Sequence, residues 1–250
     1  MAGPADDRPP ARPAPRPAPA ASGPTPARVI AGHYGSGKTE FAVNLALLEA
    51  ARGRRVALVD LDVVNPYFRS RERADLLEAA GVWVISSSLG HTAAIEAPAI
   101  SPQARAPIVD SAWDAIVDLG GDAPGARVLA QFRADLVRRG YELLVVVNAH
   151  RPETADAAGV RRHLAQIEAA TGLAASGLVS NTHLLRETTT ADVLAGLALC
   201  RQVAAGAGLP ITHVAAIPEA LAGLPADALL HGGRPIEAVP IGLHLRAEWM

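Results

Sequence analysis

The sequence contains little cysteine, few aromatic side chains and almost no lysine. Its one cysteine, Cys200, cannot form an internal disulfide and offers no CxxC pair for zinc or an iron–sulfur cluster. This usage fits a reducing compartment, and we expect Cys200 to be a small apolar side chain packed within a helix. Lys38 is the only lysine among 250 residues, and every other permanently basic side chain is arginine.

A strong charge bias and a long apolar run are also absent from the sequence. The formal net charge is -2 with an isoelectric point near 6.4, and no stretch of five or more like charges occurs. Nothing therefore indicates a surface for nucleic acid. The apolar runs fall short of the about 18 to 20 residues that a membrane-spanning helix needs. We expect a cytoplasmic protein without membrane insertion.

The first 26 residues differ in composition from the remainder. They hold nine prolines and no leucine, isoleucine, valine or phenylalanine. Such a segment can build neither a packed core nor the apolar region of a signal peptide. We expect a disordered, Pro/Ala-rich tail over 1–26 and one domain over 27–250.

From residue 28 onward, short apolar runs alternate with longer helical patterns, which is typical of a parallel sheet buried on both faces. The strand candidates are 28–32, 55–62, 82–86, 115–120, 143–148, 177–181 and 211–217. The helix candidates are 38–52, 69–80, 102–112, 124–139, 153–171 and 190–207. We expect an α/β domain with a mostly parallel, seven-stranded sheet and helices on both faces. The last 34 residues contain four prolines, and the pattern assigns them no role.

The stretch "GHYGSGKT", residues 32–39, matches G-x-x-x-x-G-K-[ST] between a strand and a helix candidate, the context in which this motif binds phosphates. Glycines let the backbone turn its N–H groups toward a polyphosphate, and the helix N-terminus adds its free amides. Lys38 is expected to bridge the β- and γ-phosphates, and Thr39 to offer its hydroxyl to Mg²⁺. A compact ammonium fits inside such a loop better than the wide fork of arginine. The nucleotide-binding residues predicted here are Gly35, Ser36, Gly37, Lys38, Thr39 and Glu40.

Three carboxylates end strand candidates and are expected to serve the metal. Asp60 and Asp62 lie in "LVDLD", and Asp118 lies in "AIVDLGGD". Mg²⁺ keeps several waters, which acidic side chains must hold in place. We predict Thr39, Asp60 and Asp118 as the metal site, with Asp118 as the Walker B carboxylate. Gly121, just beyond Asp118, is predicted to present its N–H to a γ-phosphate.

These motifs in this order resemble the MinD/ParA/CobQ-CobB type of P-loop NTPases, in the SIMIBI class, over about residues 28–217. The resemblance implies a P-loop NTPase domain that binds ATP, hydrolyses it slowly with Mg²⁺, and often dimerises or engages a protein partner under nucleotide control. It implies that Asp62 helps to position the attacking water, with Lys38 as the second catalytic residue. It also implies that "VVNPYFRSRE", which follows Asp62, is the first switch segment.

The sequence departs from that family inside the loop motif. Family members with a deviant loop carry a second, signature lysine near its start, which reaches the phosphates of a partner copy. His33 stands at that position here, and histidine is shorter and mostly neutral at pH 7. Two interpretations of His33 remain open, a catalytic residue and a solvent-facing loop residue. In place of the signature lysine, the second cation could come from an arginine of a partner protein. It could also come from Arg69 or Arg71 of the predicted switch segment.

The base is predicted to be adenine. In GTP-binding relatives an N-K-x-D stretch accepts the guanine hydrogens with its Asp, whereas "NTHL" carries Leu184 at that place, and leucine cannot accept a hydrogen bond. Asn181 can pair with adenine, and the resembling family uses an asparagine at this strand end for that purpose. Asn148 in "NAH" is a rival for the role.

Three functions are compatible with these residues. The first is an ATPase that acts as a switch or energy supplier for a partner protein. The second is an ATP-dependent ligase or kinase that activates a small carboxylic acid, of the cobyrinate-amidating or dethiobiotin-forming kind, with Arg69, Arg71 and Arg105 as candidates over the γ-phosphate. The third is a nucleotide sensor that does not hydrolyse ATP.

Overall fold

The structure, a computed structural model, describes residues 25–62, 73–86, 102–121 and 123–245. Within these ranges, eight strands form one sheet in which every neighbouring pair is parallel. They are β1 (Ala27–Gly32), β2 (Val56–Leu61), β3 (Trp83–Ser86), β4 (Asp114–Leu119), β5 (Tyr141–Val147), β6 (Gly177–Ser180), β7 (Ile211–Ala216) and β10 (Glu237–Pro240). Their order across the sheet is β10-β7-β6-β5-β1-β4-β2-β3. A separate antiparallel hairpin joins β8 (Leu230–His231) to β9 (Arg234–Pro235).

Helices follow most of the strands. They are α1 (Lys38–Ala51), α2 (Ala74–Ala79), α3 (Arg105–Val109), α4 (Ala123–Arg127), α5 (Arg133–Arg139), α6 (Ala157–Thr171), α7 (Thr190–Ala207) and α8 (Pro218–Ala222). Short 3₁₀ turns lie at Pro102–Ala104, Val128–Phe132, Pro152–Thr154, Leu185–Glu187 and Ala226–Leu229. Of the helices among the described residues, none combines the length and apolar character needed to cross a bilayer.

The sheet is covered on both faces, as the sequence predicts. Side chains alternate along each strand, so Val29 and Ala31 of β1 face one apolar cluster while Ile30 faces the other. The cluster around Ile30 includes Phe41 of α1, and the cluster around Val29 includes residues of α5, α6 and α7. Cys200 lies buried in the second of these clusters, and burial raises the pKa of its thiol to about 12. It is therefore an apolar filler in a helix, as predicted.

The prediction of seven strands is wrong by one. The additional strand, β10, comes from the C-terminal segment, pairs with β7 and forms the edge of the sheet. It has four residues and ends at Pro240, so the sequence pattern resembles a loop. Proline lacks the N–H of a ladder, but a sheet edge tolerates it because that side needs no partner.

Several predicted helices are shorter than expected. The prediction for 124–139 divides into α4, a 3₁₀ turn at Val128–Phe132, and α5. The prediction for 153–171 becomes a 3₁₀ turn and then α6, which starts later because Asp156 caps it by accepting a hydrogen bond from the Gly159 N–H. Part of the helix predicted at 69–80, the switch segment with Arg69 and Arg71, and residues 1–24 of the predicted tail lie outside the described residues.

The strand order places one loop at the centre of the carboxyl edge. Because β1 lies between β4 and β5, the loop after β1 is flanked by the loops that follow those two strands. In parallel α/β sheets, ligands bind at this edge. The phosphate-loop motif follows β1, so the fold brings it next to Asp118 on one side and to the segment after Val147 on the other.

Candidate functional site

The loop between β1 and α1 has the backbone geometry that its glycines permit. Gly35 has φ 73° and Gly37 has φ 84°, in the left-handed region that other residues rarely adopt. Space is equally restrictive, since a Cβ on Gly37 would lie 2.3 Å from the Asn181 side-chain nitrogen. Both the turn and the close packing therefore require glycine at this position.

Two side chains from neighbouring loops hold this loop by its carbonyl groups. Asn181, after β6, donates from Nδ2 to the Ser36 carbonyl oxygen at 2.8 Å. Arg151, after β5, donates from Nε to the Gly35 carbonyl oxygen at 2.8 Å. Both bonds use carbonyl oxygens, so they leave loop N–H groups and the N-terminal amides of α1 for an anion.

Lys38 lies among three carboxylates in the interior. Its Nζ donates to Asp62 Oδ2 at 2.9 Å, while Asp60 and Asp118 are paired in register across β2 and β4. The four residues are between 0% and 5% exposed. Burial opposes the charge on Lys38, but Asp118 and Asp62 outweigh it and raise the pKa of the ammonium. The buried group thus contains the Lys38 ammonium, which stays charged, and three carboxyl side chains.

Asp118 is the most constrained of these carboxyls. Complete burial, reinforced by Asp60 and opposed by Lys38, raises its pKa to about 7. The Thr39 hydroxyl is near enough to lower that pKa in part, yet neither carboxylate oxygen accepts a hydrogen bond of ordinary geometry from the described residues. Buried carboxylate oxygens without partners, next to a hydroxyl, suit a hard divalent cation. Thr39, Asp60 and Asp118 therefore fit Mg²⁺.

A cleft of about 340 Å³ extends from the phosphate loop. One end is formed by Gly37, Lys38 and Thr39 of the loop. The other end is mainly apolar, and its side chains are Leu185, Ala216, Ile217, Ile241, Leu243 and Leu245. A charged end beside an apolar end is the arrangement expected for a phosphate ester of a flat, mostly apolar ring system.

The C-terminal segment forms one wall of this cleft and is fastened to α1. Glu40 accepts hydrogen bonds from the backbone N–H groups of His244 at 2.7 Å and Leu245 at 3.1 Å. Asn44 exchanges two bonds with the backbone of Gly242, at 2.9 Å and 2.7 Å. Glu40, predicted as a nucleotide-binding residue, thus lines the cleft while its carboxylate holds the wall.

His33 faces a second, smaller cavity of about 210 Å³. Its Nδ1 lies 3.1 Å from the Tyr34 carbonyl oxygen and 3.7 Å from Glu153 Oε2, and its ring meets His163 of α6 edge-on at 5.4 Å. Gly121 also borders this cavity, and a Cβ there would lie 2.8 Å from the Gly32 carbonyl oxygen. His33 therefore points toward α6, and it is not among the residues that line the first cleft.

The environment of His163 is expected to make the stability of the protein depend on pH. Burial, with a smaller effect of the His33 ring, lowers the pKa of His163 to about 4. The unfolded chain, with a histidine pKa of about 6.5, binds the proton more readily, so stability is lost as the pH falls from 6.5 toward 4. We expect His163→Leu to remove on the order of 2–3 kcal/mol of this loss between pH 7.5 and 4.5.

Chemical denaturation at both pH values measures this difference. His231→Leu, in the surface hairpin strand β8, is the matched control and should follow the wild-type profile. Parallel profiles for wild type and His163→Leu would contradict the prediction.

Other predicted residues lie away from the cleft. Arg105 pairs with Asp135 at 2.9 Å and lines neither cavity. Asn148 uses its Oδ1 for the His150 N–H at 2.9 Å, within its own loop, whereas Asn181 lines the cleft. Leu184 is exposed.

Sequence reasoning does not predict two parts of the site, Arg151 and the C-terminal wall of the cleft. Arg151 is one of many arginines, and only the pairing of β5 with β1 brings it to the phosphate loop. The C-terminal wall looks irregular along the chain, although the alternation of Ile241, Leu243 and Leu245 in "IGLHL" is a weak sign of a face in contact with something.

Comparison with known proteins agrees with this geometry. A family model described as the CobQ/CobB/MinD/ParA nucleotide binding domain matches residues 29–199. No curated protein matches the chain in sequence.

Three solved structures share the fold of this chain. Cell division protein FtsY from Thermotoga maritima is 19% identical with a TM-score of 0.50, over 82% of this chain and 64% of that one. FtsY from Mycoplasma mycoides is 14% identical with a TM-score of 0.51, over 79% and 62%. FtsY from Elizabethkingia anophelis, in complex with GDP, is 17% identical with a TM-score of 0.50, over 78% and 58%. The chain thus spans less than two thirds of each of these proteins, and at such identities the likeness concerns the fold.

Proposed function

Because the chain belongs to the CobQ/CobB/MinD/ParA nucleotide binding domain family, we propose that it binds ATP with Mg²⁺ and hydrolyses it slowly, as a switch or energy supplier for a partner protein. The observation that carries this proposal is the buried group of Lys38 with Asp60, Asp62 and Asp118 beside the phosphate loop. A lone cation among three acids is costly to bury. A metal-bound triphosphate would give the Asp118 oxygens, which accept no hydrogen bond from the described residues, a cation to bind and would bring phosphate oxygens to Lys38.

Lys38 and Asp62 have linked roles in the proposed reaction. The Lys38 ammonium donates a hydrogen bond to Asp62 Oδ2 at 2.9 Å. An incoming triphosphate attracts the Lys38 ammonium, and Asp62 Oδ2 then becomes available to accept a hydrogen bond from the attacking water. Thr39, Asp60 and Asp118 would hold Mg²⁺, which when bound neutralises charge on the phosphate oxygens.

The preference for adenine rests on the acceptors near the apolar end of the cleft. Guanine presents two neighbouring N–H donors, which proteins usually meet with a carboxylate. Among the described residues that line the cleft, Glu40 is the one with a carboxylate, and its oxygens already accept from His244 and Leu245. Asn181 also lines the cleft and carries a side-chain amide, whose Nδ2 donates to the Ser36 carbonyl oxygen; an amide in place of a carboxylate supports ATP. The GDP complex of the Elizabethkingia protein makes GTP the alternative to test.

Titration calorimetry with ATP and with GTP, each with Mg²⁺, tests the base preference. We expect ATP to bind at least about tenfold more tightly, a difference of about 1.4 kcal/mol from the mismatched donors of guanine. Equal affinities, or tighter binding of GTP, would contradict the adenine assignment while leaving nucleotide binding intact.

Phosphate release over hours separates the switch from its alternatives. An ATPase releases phosphate without an acceptor, and a partner should accelerate it, whereas a sensor releases none. The ligase alternative needs cations over the γ-phosphate. Of the three candidates for that role, Arg105 is paired with Asp135 and lines neither cavity, while Arg69 and Arg71 lie outside the described residues. The position of Arg105 favours the ATPase over the ligase. A nucleotide-dependent homodimer is part of the proposal, and light scattering with and without ATP tests it.

A further inference from the structure

We propose that Arg151 contacts the nucleotide phosphates and stabilises the charge that builds on them during hydrolysis. The inference rests on the proposed function, because it assigns a further residue to the same site. Arg151 comes from the same chain as the phosphate loop, so the cation needs no second subunit.

The turn after β5 is rigid and directs Arg151 toward the phosphate loop. The Asn148 carbonyl oxygen accepts from the Thr154 hydroxyl at 2.8 Å and from the Arg151 N–H at 3.2 Å. The Thr154 N–H in turn donates to the Arg151 carbonyl oxygen at 2.9 Å. Since β5 pairs with β1 up to Val146 and Gly32, this turn lies directly beside the loop that follows β1.

The guanidinium packs against Gly35. Besides the bond from Nε to the Gly35 carbonyl oxygen, a Cβ on Gly35 would lie 2.9 Å from Cζ and 3.2 Å from Nη2 of Arg151. A side chain at residue 35 would therefore displace the arginine. Arg151 also lines the cleft, together with Lys38 and Asn181. Its position is thus fixed at the edge of the space where phosphates would bind.

Arg151 has no counter-ion within the part of the chain that the structure describes. Other arginines there form ion pairs, such as Arg105 with Asp135 at 2.9 Å and Arg54 with Asp114 at 3.2 Å. Arg151 uses Nε for Gly35, and no described residue accepts from Nη1 or Nη2. These nitrogens supply four of the five N–H donors of a guanidinium, in a geometry that matches phosphate.

His33 does not supply this charge. It faces the second cavity, with its ring against His163 and its Nδ1 toward Glu153. The cleft beside Lys38 therefore holds Arg151 as its second cation among the described lining residues. In phosphoryl transfer, negative charge shifts onto the leaving oxygens, and an arginine there acts more strongly on the transition state than on the bound diphosphate.

The test compares Arg151→Ala and Arg151→Lys with Arg162→Ala, which removes an exposed arginine from α6. Single-turnover hydrolysis of ATP, the affinity for ADP with Mg²⁺, and the affinity for ADP with Mg²⁺ and aluminium fluoride, a mimic of the transition state, are measured for each. We expect Arg151→Ala to slow hydrolysis and weaken the fluoride complex by about 30- to 100-fold, and to change ADP affinity by less than about fivefold. Arg151→Lys should recover part of the loss, and Arg162→Ala should resemble wild type.

Two results would overturn the inference. Equal losses for ADP and for the fluoride complex would mean that Arg151 only supports the loop, and unchanged values would mean that it has no role. Failure of the proposed function is distinguishable, because wild type itself would then bind neither ADP nor the fluoride complex.

Discussion

Replacement of Lys38 by methionine is expected to weaken the binding of ATP with Mg²⁺ by at least about 100-fold, a loss of about 3 kcal/mol or more. Methionine keeps the length of the stem inside the loop but removes the ammonium. The phosphates then lose the ammonium, and one cation fewer offsets the three carboxylates around residue 38. The measurement is titration calorimetry on wild type and Lys38→Met.

Lys38→Arg is the informative second variant. It keeps the charge, yet the planar fork is wider than an ammonium and the position is 5% exposed, so we expect a loss comparable to that of methionine. Arg161→Ala, at an exposed position of α6, serves as the control. Because the removed cation stabilises Asp62 in the fold, melting curves must accompany the titrations. Wild-type affinity in a folded Lys38→Met protein would overturn the assignment of the phosphate loop.

Replacement of Asp118 by asparagine is expected to reduce Mg²⁺-dependent hydrolysis by more than about 100-fold while it stabilises the nucleotide-free protein. The carboxylate is fully buried, and its pKa, raised to about 7, means that ionisation is unfavourable in the fold. Since the folded state binds this proton more tightly than the unfolded chain does, stability falls as the pH rises from about 4 to 7. Asparagine has the same shape and never ionises.

The two effects have opposite signs, which separates them from a general defect. Denaturation at pH 8 should give Asp118→Asn a higher free energy of unfolding, by on the order of 1 kcal/mol or more, whereas the difference should shrink as the pH falls toward about 4. Addition of ATP with Mg²⁺ should raise the melting temperature of wild type far more than that of the variant. A variant that is less stable at pH 8, or that hydrolyses ATP normally, contradicts the prediction.

Much of the fold follows from local pattern. Strands such as "RVALVDLD" are continuous apolar runs because both faces of a parallel strand are buried, and the structure has a strand at Val56–Leu61 within that run. The strand prediction fails where the local sequence pattern indicates a loop but the segment lies beside an open edge of the sheet. β10 has too few residues to give a periodicity and ends in proline, and it becomes a strand because β7 offers it a free edge.

The phosphate loop and its carboxylates were predictable for a physical reason. A backbone that wraps phosphates needs glycine at fixed spacing, a lysine and a hydroxyl, and these requirements apply within eight consecutive residues. Asp60, Asp62 and Asp118 end strands, and parallel strands bring their carboxyl ends to one edge. The structure places all three around Lys38.

The sequence by itself therefore determined the fold class, the glycine-rich loop with the phosphate-binding motif and the acids beside it, because each depends on short-range backbone geometry or on strand direction. Only the tertiary structure decided that Arg151 lies against Gly35, that His33 turns toward α6, and that residues 241–245 form a wall of the cleft. These contacts join segments separated by more than 100 residues, as with Glu40 and His244. Their existence depends on strand order and packing, which no local pattern encodes.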